Sequence, residues 1–156
     1  MGADQYTRRR ALRTGTIAIG GGMAAIAGCA GGESQSAEGS EARFDGYLSN
    51  VSNYDGSVTD RTGRSEVTVE VGAEGNGGAF AFAPAAVRIS TGTTVVWEWT
   101  GKGGSHNVVH EGDAFASKLV ESAGHTFAHT FESTGEYKYV CTPHRSLGMK
   151  GVVVVA

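Results

Sequence analysis

Positive charge is scarce in this chain. Lysine occurs only four times, and no stretch after residue 28 forms a basic patch. Without residues 1–28 the chain carries 9 basic and 15 acidic side chains, a formal net charge of −6. Nucleic-acid binding is therefore disfavoured, and the acidity is compatible with solubility in salt.

Cysteine is also rare, because Cys29 and Cys141 are the only two. An exported protein would be expected to pair them in one disulfide unless each has another role. The sequence also lacks an internal repeat, a heptad pattern and a helical period of useful length. These absences favour one β-rich domain of ordinary size.

The chain has no long hydrophobic run either. The apolar stretch at residues 16–28 is too short to cross a membrane as a helix, and it follows a run of arginines at residues 8–10. This pattern predicts an export signal over residues 1–28. The arginines resemble the twin-arginine signal, although Ala11 stands where that motif usually has a large apolar residue.

The end of this segment predicts a lipid anchor. Residues 26–29, Ile-Ala-Gly-Cys, resemble a lipobox, in which Cys29 becomes the lipidated first residue. The alternative is an ordinary cleavage site with an incidental cysteine. Residues 29–42 are small, polar and acidic, which predicts a flexible tether. We therefore expect an exported protein, lipid-anchored to the outer face of the cell membrane. Asn50 begins a glycosylation pattern that is common by chance.

Residues 43–156 have an all-β pattern. Apolar residues alternate with polar ones in two runs, and glycine-rich turns separate the runs. The alternating residues are Val67, Val69 and Val71 in one run and Val95, Trp97 and Trp99 in the other. We expect two antiparallel sheets packed face to face, an edge or bend at Pro84, and a short helix over residues 115–120.

The segment CTPHRSLGM, residues 141–149, contains the strongest functional signal. It places the thiolate of Cys141, the imidazole of His144 and the thioether of Met149 within nine residues. Two histidines, one cysteine and a weak axial methionine form an electron-transfer copper centre, so the motif requires a second histidine upstream. His106, after a glycine-rich turn, is the candidate. Each residue alone is more often a core residue, but their joint spacing argues for copper.

Residues 135–155 and 92–109 resemble the plastocyanin-like blue copper proteins of the cupredoxin family, and most closely the halocyanins. The likeness covers residues 44–155. It implies a Greek-key β-sandwich and one copper ion held by His106, Cys141, His144 and Met149. It also implies that Asn107 helps to hold the thiolate loop. With lipid on Cys29 and copper on Cys141, no disulfide forms.

The other three histidines, His110, His125 and His129, lack such support. Thr and Phe alternation places His125 and His129 on a strand, where they lie about 13 Å apart and cannot share an ion. We expect all three to be structural or solvent-facing. Five histidines in total cannot build the second copper cluster of an oxidase or reductase.

We therefore expect a monomeric one-electron carrier, not an enzyme, that exchanges electrons with redox proteins of the membrane. The alternative is a copper-delivery or storage protein. In plastocyanins a surface tyrosine precedes the cysteine and offers a remote electron port, whereas Val140 stands here. Docking is then expected over His144, with Leu147 exposed and Arg145 on the rim. The alternative is that Leu147 caps the core.

Overall fold

The computed structural model describes residues 43–156. These residues begin with a 3₁₀ turn at Arg43–Gly46 and include a second 3₁₀ helix at Thr142–Leu147. They form nine strands: β1 (Thr59–Asp60), β2 (Glu66–Gly75), β3 (Gly78–Ala83), β4 (Ala86–Ile89), β5 (Thr93–Trp99), β6 (Val109–His110), β7 (Thr126–Phe131), β8 (Gly135–Val140) and β9 (Lys150–Val155). The signal, the lipobox with Cys29 and the tether predicted from the sequence lie outside the described residues.

The strands form two sheets, ordered β1-β4-β9-β8-β6 and β3-β2-β5-β7. Both are mixed, so the expectation of antiparallel sheets is wrong. β2 pairs with β5 in parallel, as β4 does with β9 and β1 with β4, and the other pairs are antiparallel. The parallel pairs arise because the chain crosses between the sheets. Between β2 and β5, which share the four-stranded sheet, it forms β4 in the five-stranded sheet. Pro84 lies at the bend between β3 and β4.

The core lies between the sheets and confirms the predicted alternation. All six residues that the alternation predicts to face the core are buried there: Val67, Val69 and Val71 in β2, and Val95, Trp97 and Trp99 in β5. The ring of Trp97 lies 5.4 Å from that of Tyr139, edge to face, and 5.3 Å from that of Phe115. Tyr139 is fully buried two residues before Cys141, so the core fixes the strand that leads to the candidate site.

Residues 115–120 form no helix, so the predicted short helix is wrong, and Ala116 and Val120 instead lie in isolated β-bridges. His106 and Val120 form an antiparallel bridge in which each N–H donates to the other's carbonyl, at 2.8 and 2.9 Å. The N–H of Ser117 donates to the carbonyl of Val108 at 2.8 Å. These non-local hydrogen bonds satisfy the backbone without a helix. The segment consequently supports the loop that carries His106.

Residues 43–58, here called the strap, cover the outer face of the five-stranded sheet. Alternate residues of a strand point to opposite faces. In β9, Val153 and Val155 face the main core, whereas Val152 packs in a second cluster outside it. The strap supplies the other large members of that cluster, which are Phe44, Leu48 and Val51. It therefore buries an apolar sheet face that would otherwise meet water.

Candidate metal centre

The four candidate ligands come from two loops at one end of the sandwich. Cys141 follows β8 directly, His144 lies in the 3₁₀ helix Thr142–Leu147, and Met149 precedes β9. Pro143 occupies the first turn of this helix, where a missing N–H costs nothing. His106 lies in the loop after β5. The residues predicted from the sequence are thus brought together by the core strands that flank them.

Three donor atoms converge. Nδ1 of His106 lies 3.1 Å from Nδ1 of His144 and 3.7 Å from Sγ of Cys141, and this Sγ lies 3.4 Å from Nδ1 of His144. Ligands about 2.0–2.3 Å from one ion in a trigonal plane would be about 3.5–4.0 Å apart. The observed triangle is close to this size. The donor set is that of a copper electron-transfer site, and it fits one ion.

The ring of His106 is held in the orientation that a metal requires. Its Nε2 lies 2.7 Å from the carbonyl oxygen of Lys102, so Nε2–H donates and the lone pair of Nδ1 points at the site. Gly72 and Gly103 make room for this contact. Both have left-handed φ, and a Cβ on Gly103 would lie 2.9 Å from Nε2 of His106 and would overlap the carbonyl of Ala79.

Burial shifts the pKa values of these ligand side chains. Desolvation lowers the pKa of His106, opposed by the Lys102 carbonyl, and lowers that of His144, with a further contribution from His106. Both imidazoles are therefore neutral donors at pH 7. Desolvation raises the pKa of the Cys141 thiol, opposed by the backbone N–H groups of Asn107 and His144. A bound cation is needed to favour the thiolate fully.

Met149 is fully buried in the main core. Its N–H donates to the carbonyl of His144 at 3.3 Å, and its carbonyl accepts the N–H of Cys141 at 3.0 Å. The backbone of the proposed axial residue is therefore tied to both other ligands of its loop. The assignment of the four residues as ligands stays a prediction.

Asn107 lies where the sequence places it, against the thiolate loop. Its Oδ1 accepts the N–H of Thr142 at 2.7 Å, and its Nδ2 donates to Oγ1 of Thr142 at 3.2 Å. Thr142 follows Cys141, so these bonds join the His106 loop to the Cys141 loop. This geometry suits a residue that keeps the two loops in register.

Two neighbours of the site were not found in the sequence. The ring of Phe80 lies 4.7 Å from that of His144 and 6.5 Å from that of His106. Asn76 donates from Nδ2 to the carbonyl of Gly148 at 3.0 Å. Both come from the β2–β3 hairpin, which is remote in sequence. The only sequence signal is the asparagine among glycines in GNGG, residues 75–78, which concerns Asn76 and not Phe80.

The residues of the predicted docking surface lie on the outside. Leu147 is 45% exposed. Arg145 is also exposed, and its Nη1 forms an ion pair with Oε1 of Glu111 at 3.0 Å. Val140 is fully buried and presents nothing to a partner.

The remaining histidines pack on aromatic rings. His110 stacks on Phe115 at 5.0 Å, and His129 lies 4.8 Å from the same ring. His125 meets Trp99 edge to face at 4.8 Å. Within residues 43–156, the one group of three or more potential metal ligands is His106, Cys141 and His144. The structural role expected for the other histidines agrees with these contacts.

No helix among the described residues has the length and apolar character needed to cross a membrane.

Comparison with known proteins gives concordant matches. The family model described as copper binding proteins of the plastocyanin/azurin family matches residues 67–156. Halocyanin of Natronomonas pharaonis is 52% identical over 120 residues, covering 74% of this chain and 72% of that protein. Plastocyanin of Scenedesmus fuscus is 34% identical over 100 residues, covering 58% and 99%. A solved structure of a mutant fern plastocyanin is 28% identical, with a TM-score of 0.49, and covers 58% of this chain and 100% of that one.

Proposed function

This chain belongs to the plastocyanin/azurin family of copper-binding proteins, and from that membership we propose that it is a mobile one-electron carrier. Its cofactor is one copper ion, held by His106, Cys141, His144 and Met149. The observation that carries the assignment is the convergence of Nδ1 of His106, Sγ of Cys141 and Nδ1 of His144 within 3.1–3.7 Å. The resemblance noted from the motifs agrees with this membership.

The protein supplies a fixed donor set. A copper ion bound there would supply the Cu(I)/Cu(II) couple by which one electron is carried. Around it, the Lys102 carbonyl holds the tautomer of His106, and Asn107 joins the two ligand loops. Ligands that keep their positions in both charge states reduce the reorganisation that electron transfer requires. Burial of Cys141 and Met149 keeps water from the metal on the core side.

Electrons enter and leave the site through the edge of the His144 ring, because His144 is the one half-exposed residue of the four proposed ligands. Leu147, in the same 3₁₀ helix as His144, is 45% exposed and provides an apolar contact for a partner. Arg145 lies on the rim, and its pairing with Glu111 leaves little net charge there. This surface suits a membrane redox protein with a similarly apolar contact. The carrier acts as a monomer.

The protein works at the outer face of the cell membrane. Residues 1–28 direct export, lipid on Cys29 anchors the chain, and residues 29–42 let the copper domain move between donor and acceptor. The support is the order of the arginine run, the short apolar stretch, the lipobox-like residues and the polar tether. Because one lipid chain alone holds a protein weakly on a membrane, stable anchoring through Cys29 takes more than one chain or added contacts.

The test separates electron transfer from copper delivery. Protein loaded with copper is examined by voltammetry and then mixed with copper-free acceptors and with membranes from the same cells. We expect a reversible one-electron wave, retention of copper, and rapid oxidation of the reduced protein by the membranes. Fast loss of copper to the acceptors without membrane-driven oxidation would favour a delivery protein and contradict the proposal.

A further inference from the structure

The side chain of Asn76, in the turn of the β2–β3 hairpin, forms a hydrogen bond to the loop that carries Met149. Its backbone is left-handed, with φ of 58°, and it lies between Gly75 and Gly77. Glycine adopts this conformation without steric cost, whereas asparagine only tolerates it. Asn-Gly is also the favoured pair in a two-residue hairpin turn with positive φ at both positions, as at Asn76 and Gly77. Glycine would suit this backbone too, so what the asparagine adds is the contacts of its side chain.

The amide of Asn76 joins three segments. Nδ2 donates to the carbonyl of Phe80 at 2.7 Å and to that of Gly148 at 3.0 Å. Oδ1 accepts the N–H of Ser52 at 2.9 Å. The reverse orientation of the amide would set its oxygen against two carbonyl oxygens, so the partners fix the orientation.

The bond to Gly148 acts on the peptide that precedes Met149. The carbonyl of Gly148 and the N–H of Met149 belong to one planar unit. Besides Asn76, this carbonyl accepts the N–H of Lys150 at 3.0 Å. Gly148 has φ of 95°, and a Cβ there would overlap the carbonyl of Asn50 in the strap. The Gly148–Met149 peptide plane is therefore hydrogen-bonded to the hairpin and packed closely against the strap.

The second carbonyl held by Asn76 belongs to Phe80, whose ring lies 4.7 Å from that of His144. One amide therefore fixes the backbone of the residue that packs on His144 and the backbone next to Met149. Removing this amide would therefore loosen the surroundings of two ligands, His144 through Phe80 and Met149 through Gly148.

Ser52 of the strap forms two hydrogen bonds with Asn76. Oγ of Ser52 accepts the N–H of Asn76 at 2.6 Å, in addition to the bond from the Ser52 N–H to Asn76 Oδ1. Ser52 lies before residues 67–156, which the family model matches. A segment outside that match thereby supports the ligand loop.

We propose that Asn76 is a positioning residue for Met149 and that Ser52 of the strap keeps Asn76 in place. This rests on the proposed function, in which Met149 is the axial donor. Without the amide, the Gly148–Met149 peptide gains freedom and the thioether is held less firmly. The reduction potential then moves in the direction caused by Met149→Leu, by a smaller amount.

The experiment uses the full chain with Asn76→Gly, which suits the left-handed backbone and removes the side chain. Asp113→Gly is the matched control, because Asp113 is an exposed residue with φ of 64° in another turn. The readouts are the potential, amide exchange at Met149, and the ¹³C-methyl resonance of Met149. The chain has three methionines, and Met149→Leu assigns this resonance.

We expect Asn76→Gly to speed amide exchange at Met149 about tenfold, which is about 1.4 kcal/mol and within the range for one ordinary hydrogen bond, here the bond to the Gly148 carbonyl. Its methyl resonance should shift with and without copper, and the potential should move towards that of Met149→Leu. Asp113→Gly should change none of these. Wild-type exchange, resonance and potential in Asn76→Gly, beside a clear effect of Met149→Leu, would overturn the positioning role alone.

A milder pair guards against a variant that fails to fold. Ser52→Ala removes one acceptor for Asn76, and Ser49→Ala is its control on the exposed side of the strap. Ser52→Ala should shift the Met149 resonance and the potential in the same direction as Asn76→Gly, and Ser49→Ala should not. Identical behaviour of the two serine variants would count against the proposal. No effect of Met149→Leu itself would overturn the axial assignment, and the positioning role with it.

Discussion

Replacing Asn107 with alanine would remove the side-chain link between the two ligand loops. Asn107 accepts the Thr142 N–H at 2.7 Å and donates to Thr142 Oγ1 at 3.2 Å. Each bond contributes about 1 kcal/mol when both partners are present. Asn107 is half-buried and Thr142 exposed, so water recovers part of the loss. We expect the free energy of unfolding of the copper-free protein to fall by about 1–2 kcal/mol.

Copper affinity should fall further than stability does. Thr142 adjoins Cys141, and a looser loop holds the thiolate less firmly. Removing such supporting partners typically weakens metal binding about 10–100-fold. Urea unfolding of the copper-free protein and competition with a Cu(I) chelator measure the two effects.

Thr142→Val is the control, because it removes only the weaker bond, at 3.2 Å, and keeps the N–H that donates to Asn107. It should show a smaller loss of both quantities than Asn107→Ala. Wild-type stability and wild-type copper affinity in Asn107→Ala would refute the reasoning.

Three further changes test separate parts of the molecule. Met149→Leu should leave copper bound and raise the potential measured by voltammetry, because a donor to Cu(II) is lost while the surroundings stay apolar; an unchanged or lower potential would mean that Met149 is not near the metal. Cys29→Ser should move the protein from the membrane fraction to the medium with an unaltered copper spectrum, and retention on membranes would rule out the anchor. Leu147→Asp should slow electron exchange with membranes severalfold at nearly constant colour and potential, whereas Val140→Ala should do little. Unchanged kinetics in Leu147→Asp, or a larger loss in Val140→Ala, would argue against docking over His144.

The candidate metal ligands could be named from the sequence because three of the four lie close together in it. Cys141, His144 and Met149 lie in one loop whose length is set by the chemistry of one ion. His106 is remote, yet its glycine-rich turn and its asparagine neighbour identified it. Asn76 acts across 72 residues of sequence, and no local pattern encodes such a contact.

The fold was predictable in its strands and less so in their pairing. Alternation in β2 and β5 identified both strands and their buried faces, since side-chain direction has a period of two. Pairing depends on which strands meet in space, so the mixed sheets were missed. Residues 115–120 were misassigned because their backbone partners lie outside the segment, in residues 106–110. The strap was also missed: Phe44, Leu48 and Val51 have the i, i+4, i+7 spacing of one helix face, but the segment forms a 3₁₀ turn at Arg43–Gly46 followed by further turns.

The most direct measurement of the central claim is the visible absorption of the copper-loaded protein, compared with that of Cys141→Ser. A thiolate bound to Cu(II) gives intense charge-transfer absorption. We predict one copper per chain, strong colour on oxidation that is lost on reduction, and no such colour in Cys141→Ser. A colourless Cu(II) form of the wild-type protein, or full colour in Cys141→Ser, would contradict the assignment.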